Sequence, residues 1–137
     1  MYASFIQWNE NYSVGIPKID FQHKKLISII QELFEAMKTG KASTVLTSIF
    51  DQLAAYTTEH FSLEEEYFAK YQYPQAKQHA EEHAKLIDEV ARLRESFAKA
   101  QIGISIETLN FLKDWLVKHI LKSDMSYAPY LQAKGLK

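Results

Sequence analysis

Five histidines are the residues of this chain best suited to chemistry, and three of them belong to two short motifs with helical spacing. They are His23, His60, His79, His83 and His119. His83 follows His79 by four residues in "HAEEH", and Glu64 follows His60 by four in "HFSLE". Side chains four residues apart share one face of an α-helix, so each pair can present two ligand groups together. Imidazole combined with carboxylate suits iron, manganese, copper or zinc.

The overall composition limits what such a site can contain. None of the 137 residues is cysteine, which excludes disulfides, thiolate metal sites and cysteine nucleophiles. With 16 basic and 17 acidic residues the net charge is −1, which gives no electrostatic reason to bind nucleic acid. No apolar run approaches the roughly 18 residues that span a bilayer, and the N-terminus lacks the pattern of a signal peptide. We therefore expect a cytoplasmic protein without a membrane span.

Four long segments carry apolar residues at intervals of three and four, the pattern of amphipathic helices, and no segment shows β-type alternation. Pro17, Gly40, Pro74 and Gly103 separate these segments from an N-terminal arm and from one another. Short connections make consecutive helices antiparallel neighbours. The sequence predicts an all-α fold, an up-down-up-down antiparallel four-helix bundle. We expect a single domain over 1–137, with an arm at about 1–18, the bundle at about 19–124 and a C-terminal extension at about 125–137.

All five histidines fall on the predicted apolar faces. His23 precedes Leu26 by three residues, for example, and His119 follows Leu116 by three. A single histidine on such a face is usually a satisfied core residue. Five of them together with Glu64 would be costly to bury unless another group pairs with each. A metal centre supplies that partner.

Other acidic side chains lie beside the histidines along the chain. Most turn away from the ligand face, and we expect them in solvent: Glu65, Glu66, Glu81 and Glu82. Asp124 follows His119 by five residues, which on an α-helix is about 140° beyond a full turn. Helical geometry alone therefore leaves Asp124 equally a ligand or a surface charge.

Five histidines and two carboxylates would make seven ligands, too many for one ion. Zinc favours four ligands, and calcium or magnesium favours oxygen. Two ions that share both carboxylates and an oxide bridge would account for all seven ligands. One ion with three histidines is then six-coordinate, and the other, with two histidines, is five-coordinate and keeps one open position.

The complete pattern resembles the hemerythrins, and most of all their single-domain bacterial branch, the bacteriohemerythrins. The likeness rests on "HFSLE", "HAEEH" and "HILKSD", and extends to "QWNENYSVGIPKIDFQHKKL", "YQYP" and "WLVKHILKSDMSYAPYL". The family uses the spacing of five found between His119 and Asp124. The resemblance implies an oxo- or hydroxo-bridged pair of iron ions. Its ligands would be His79, His83 and His119 on the six-coordinate iron, His23 and His60 on the five-coordinate iron, and Glu64 and Asp124 as bridges.

The resemblance implies reversible O2 binding at the open iron, for transport, storage or supply, by a protein that is not an enzyme. A monomer is expected, and small anions are possible ligands at the same iron. Two alternatives remain: a di-iron oxidoreductase acting on peroxide or nitric oxide, and a module that senses O2, redox state or iron. Ferritin-like iron oxidation fits less well, because those sites are rich in carboxylates.

Several aromatic residues lie near the motifs. Tyr67 and Phe68 follow the glutamates where relatives often have leucine or methionine. A tyrosine hydroxyl there could contact O2, but bulky side chains that fill the bundle are the favoured interpretation. Tyr127 and Tyr130 are expected to be packing residues.

Overall fold

The structure is a computed structural model that describes residues 6–40, 43–98 and 106–136. A short 3-10 turn, Glu10–Tyr12, precedes the helices. The helices are α1 (Pro17–Lys38), α2 (Ser43–Tyr71), α3 (Ala76–Ala98), α4 (Ile106–Lys118) and α5 (Met125–Ala133), and a π-helical segment, His119–Asp124, joins the last two. The described ranges contain no strand, and the predicted all-α four-helix bundle is confirmed. The predicted break at Gly103 lies outside the described residues.

The helix ends follow local backbone chemistry. Pro17 occupies the first turn of α1, where its missing N–H costs nothing. Gly40 follows the end of α1 with a φ of +70°, a conformation that glycine adopts without strain. At the end of α2, Gln72 takes a φ of +56°, and the Tyr73 N–H donates to the Phe68 carbonyl at 3.0 Å. This is the hydrogen bond of a Schellman motif. Pro74 follows this motif and lies before the first residue of α3, Ala76.

Two apolar clusters fill the bundle. The larger one, which we name the upper cluster, is built from all four long helices and includes Leu26, Phe61, Leu86 and Leu116. The other, the lower cluster, consists of Val14, Ile16, Ile19, Phe68, Tyr73, Tyr127, Ala128 and Leu131. Among the parts of the chain that the structure describes, no helix is long and apolar enough to cross a membrane.

Residues 125–136 are not a loose extension. Tyr127, Ala128 and Leu131 of α5 are buried in the lower cluster. The Gln132 amide donates a hydrogen bond to the Gly15 carbonyl at 3.1 Å, which ties α5 to the N-terminal arm. The part of the arm next to α1 and helix α5 therefore close the same end of the bundle, whereas Ile6 of the arm is buried in the upper cluster.

Gly15 and Gly40 provide a matched test of this closure. Both have a positive φ, and a Cβ at Gly15 would lie 2.6 Å from the Gln132 Nε2 atom, whereas a Cβ at Gly40 would meet no atom of the described residues within 4 Å. We expect Gly40→Ala to cost about 1 kcal/mol of unfolding free energy through backbone strain alone. Gly15→Ala should cost about 1 kcal/mol more, because the Gln132 hydrogen bond is lost as well. Equal losses in urea unfolding would show that the contact between arm and α5 adds nothing.

Candidate metal centre

The five histidines and two carboxylates predicted from the sequence meet inside the bundle. Helix α1 supplies one of them, α2 two, α3 two, and the π-helical segment two. Each is at most 4% exposed: His23, His60, Glu64, His79, His83, His119 and Asp124. The spacing on the apolar faces therefore predicted the direction of the five histidines and Glu64, but not that of Asp124.

These side chains form two groups of potential ligands. The first consists of Glu64, His79, His83 and His119, and the second of His23, His60, Glu64 and Asp124. In each group one ligand atom from every member lies within 4.8 Å of the others. Each group can thus surround one ion. The groups contain three and two histidines, respectively, and they share Glu64.

Both carboxylates lie between the two groups. One oxygen of Asp124 is 2.9 Å from His23 Nε2, and the other is 2.9 Å from His79 Nε2 and 3.0 Å from His119 Nε2. The Oε1 atom of Glu64 is 3.1 Å from His83 Nε2 and 3.4 Å from His60 Nε2. Each carboxylate therefore faces histidines of both groups, which is the arrangement that a bridging ligand needs.

A π-helical segment brings Asp124 to the site. The Met125 N–H donates to the Ile120 carbonyl, five residues earlier, instead of four as in an α-helix. The wider turn places residues five apart on one face. His119 and Asp124, at the two ends of the segment, therefore both point inward, although α-helical geometry left the aspartate undecided.

Burial and charge act against each other in the cluster. Burial lowers the pKa of His60 to about 4. Burial also opposes ionisation of Asp124, but His119, His23 and His79 hold the pKa of that carboxyl well below its usual range. For His119, burial would lower the pKa, but the charges of Asp124 and Glu64 outweigh it and raise the pKa to about 9. The site therefore combines ionised carboxylates with a strong preference for positive charge.

The donor set fits a metal centre. Among the described residues, several buried nitrogen and oxygen atoms of the cluster make no hydrogen bond of normal geometry, although some lie about 3 Å from one another: His23 Nδ1 and Nε2, His60 Nε2, Glu64 Oε1, His83 Nε2, His119 Nδ1, and both Asp124 oxygens. The Nε2 atoms of His79 and His119 face each other at 3.1 Å. Leaving such atoms unpaired away from water is costly, whereas ions between them would satisfy most of them at once.

Three polar side chains outside the two groups contact the Nδ1 atoms of three histidines. Gln22 Oε1 lies 2.6 Å from His60 Nδ1, and Glu65 Oε2 lies 2.8 Å from His83 Nδ1. The Oε1 atom of Glu82 is 3.4 Å from His119 Nδ1 and accepts a hydrogen bond from the Ser123 hydroxyl at 2.8 Å.

Glu65 and Glu82 are exposed as expected, but solvent is not their only neighbour. Each also reaches a histidine on an adjacent helix. The signal in the sequence was their position next to an inward-facing ligand. A residue one step along a helix lies about 100° around it, at the border with the neighbouring helix.

Tyr127 also has a larger role than packing. It is fully buried, and its hydroxyl donates a hydrogen bond of 2.5 Å to Glu64 Oε2. Burial, followed by the charge of Glu64, raises the pKa of Tyr127 well above its usual value, so the phenol keeps its proton. Tyr127 follows Asp124 by three residues, a spacing that could have indicated this contact.

The structure places Phe68 and Tyr67 on the side of the lower cluster. Phe68 is 2% exposed, and its ring centre lies 4.9 Å from that of His79 and 5.2 Å from that of Tyr127. Tyr67 is partly buried against the same cluster. Their surroundings favour the interpretation of Phe68 as a residue that fills the bundle.

Comparison with known proteins agrees with this geometry. A family model described as the hemerythrin HHE cation binding domain matches residues 14–131. The chain belongs to the hemerythrin family. A bacteriohemerythrin of Methylococcus capsulatus is 34% identical over 122 residues, which are 89% of this chain and 92% of that relative. A bacteriohemerythrin of Stenotrophomonas maltophilia is 31% identical over 130 residues, covering 95% and 84% of the two chains.

A solved structure within the family has the same fold. The crystal structure of a wild-type hemerythrin superimposes with a TM-score of 0.88 at 29% identity, and the match covers 93% of this chain and 98% of that one. The hemerythrin match and the histidine–carboxylate cluster together identify a metal-binding four-helix bundle.

Glu64 and Glu66 allow the shared position to be tested within one helix. Glu64 is buried and belongs to both ligand groups, whereas Glu66 is exposed two residues later. We expect Glu64→Ala to lose most bound metal after iron loading, and Glu66→Ala to keep it. Metal content per folded chain, with circular dichroism as the folding control, checks both. Full retention of metal by Glu64→Ala would contradict the role of Glu64 in both groups.

The raised pKa of His119 predicts a pH dependence of stability in chelator-treated protein. Its protonated form, paired with Asp124, contributes stability that is complete below the ordinary histidine pKa of 6.5. That contribution is lost as the pH rises to about 9. Urea unfolding should therefore show lower stability at pH 9 than at pH 6.5. The slope should flatten in His119→Gln, and an unchanged slope in this variant would assign the effect to another group.

Proposed function

We propose that the protein is a non-haem di-iron protein that binds O2 reversibly at one open iron position, for transport, storage or supply. The observation that carries this proposal is the pair of ligand groups, one with three histidines and one with two, that share a carboxylate. In the proposal the ligands divide as follows: His79, His83 and His119 on one iron, His23 and His60 on the other, and Glu64 and Asp124 bridging.

A pair of bound ferrous ions would supply the electrons and the open coordination position that O2 binding requires. The residues of the chain hold these ions and balance their charge. Imidazoles from four helix segments fix the two positions, while Glu64 and Asp124 place two negative charges between them. Tyr127 holds one oxygen of Glu64 through its hydrogen bond, so that the other oxygen stays turned towards the histidines.

An apolar cavity of about 20 Å³ lies next to the centre. Four of its lining residues lie one helical turn from a histidine: Leu26 from His23, Thr57 from His60, Leu86 from His83, and Leu116 from His119. The other lining residues are Ile30, Leu53, Phe61, Val90, Leu112 and Trp115. A space of this size takes a molecule of a few atoms, and its apolar wall favours a neutral one such as O2.

The same wall weighs against the main alternative. A di-iron oxidoreductase acting on peroxide or nitric oxide benefits from a general acid or base beside the bound molecule. The cavity wall carries no carboxylate, histidine, lysine or arginine among its ten residues. A carrier or store, which must release O2 unchanged, therefore fits better than an enzyme. A sensing role would use the same binding event.

Within this proposal the unit of function is one hemerythrin-like domain over 1–137, comprising the arm (about 1–18), the bundle (about 19–124) and the segment at about 125–137. It would act as a cytoplasmic monomer, with small anions as competing ligands at the open iron.

An O2 titration of the iron-loaded, reduced protein tests the proposal. We expect close to two irons per chain and a visible charge-transfer spectrum that forms with O2, fades when O2 is removed and returns with fresh O2. Glu64→Ala serves as the control without the centre. A metal content of one zinc ion per chain would rule out the di-iron proposal. Immediate and irreversible oxidation with turnover of peroxide would favour the oxidoreductase instead.

A further inference from the structure

The side chains behind the histidines differ between the two ligand groups. In the three-histidine group, His83 Nδ1 faces the carboxylate of Glu65 at 2.8 Å, and His119 Nδ1 faces that of Glu82 at 3.4 Å. In the two-histidine group, His60 Nδ1 faces the neutral amide oxygen of Gln22 at 2.6 Å. The remaining histidine of that group, His23, is buried with its Nδ1 atom unpaired in the described structure.

This difference changes how strongly the histidines of each group bind a metal ion. An imidazole that binds a cation through Nε2 donates its Nδ1–H to the group behind it, which fixes the ring orientation and increases its basicity. A charged acceptor makes a stronger hydrogen bond than a neutral one. Glu65 therefore strengthens His83 as a ligand more than Gln22 strengthens His60. Glu82 lies 3.4 Å from His119 Nδ1 without forming a hydrogen bond, so it orients His119 more weakly.

Aromatic rings hold the same two histidines. Phe61 stacks on His83 with ring centres 3.7 Å apart and planes 4° from parallel, and Trp115 stacks on His119 at 4.5 Å and 14°. His23 and His60 instead contact each other edge to face at 4.6 Å. The three-histidine group is thus more rigidly preorganised as well as more strongly supported by charge, and preorganised ligands bind more tightly.

We propose that Glu65 and Glu82 are positioning residues that make the three-histidine position the tighter of the two metal positions, so that two ions bind in a fixed order. Gln22 has the corresponding role at the weaker position. This inference rests on the proposed two-metal centre and adds that its two metal positions differ in affinity. Glu65 is 44% exposed and Glu82 47%, so their effect comes through ligand orientation and donor strength and not through a desolvated ion pair.

A cobalt titration of the chelator-treated full-length protein tests the order of binding. Co²⁺ serves as the probe because its visible spectrum reports the ligand set, and calorimetry gives the affinity of each step. Wild type should bind two ions in two resolved steps. We expect Glu65→Ala to weaken the first step about 10- to 100-fold, the range for losing such a partner, and to leave the second step within about threefold.

Other variants separate positioning from general structural damage. Glu65→Gln keeps an acceptor without the charge and should fall between wild type and Glu65→Ala in the first step. Glu82→Ala should weaken the first step by less than Glu65→Ala, because its contact is longer. Gln22→Met should weaken only the second step. Glu66→Gln and Glu81→Gln are the matched controls, since both are exposed neighbours on the same helices, and should leave both steps unchanged.

The outcomes distinguish this inference from the proposed function. Binding of only one ion to wild type would overturn the two-metal proposal itself. If wild type binds two ions but Glu65→Ala alters both steps equally, or alters neither step, only the inference is overturned. A first step that is weakened by Gln22→Met and not by Glu65→Ala would also overturn the inference.

Discussion

The structure depends on one constraint: five imidazoles and two carboxylates must be buried together without water. Each of these seven side chains is at most 4% exposed, and most of their inward-facing atoms make no conventional hydrogen bond with any described residue. Ordinary packing does not satisfy such a cluster, since each unpaired polar atom costs free energy. The hydrogen bonds of Gln22, Glu65 and Tyr127 hold these side chains facing one another, and cations bound among them would satisfy the unpaired atoms.

The antiparallel bundle turns this cluster into a layer with two different sides. On one side, Leu26, Leu86 and Leu116 each lie one turn from a histidine and, together with Thr57, line the small cavity. On the other side, the Glu64 carboxylate meets Tyr127 and the lower cluster, which α5 and the adjoining end of the arm close. Because consecutive helices run in opposite directions, Leu26 after its histidine and Leu116 before its histidine lie at the same level. Connectivity and sequence spacing together separate an apolar side from a polar one.

The sequence predicts the parts of this arrangement that depend on periodicity. Apolar spacing gave four helices and turned all five histidines inward, because any residue in phase with the stripe must face the core. Asp124 could not be settled in this way, since its direction depends on a π-helical hydrogen bond that periodicity does not encode. Glu65 and Tyr127 were assigned too simply for another reason. Their contacts cross between helices, and the rotation of one helix against another is decided by packing.

The position of the proton donors bears on which chemistry the site favours. Complete reduction of O2 or cleavage of a peroxide consumes protons, so such an enzyme needs a donor that can reach the bound molecule. The buried hydroxyl of Tyr127 lies on the carboxylate side, is already committed to Glu64 and has a raised pKa. The cavity on the opposite side is lined by hydrocarbon and aromatic side chains and by Thr57, whose alcohol is too weak an acid to supply a proton. A molecule held there lacks a protein group that would donate a proton to it, which favours its release unchanged over its conversion.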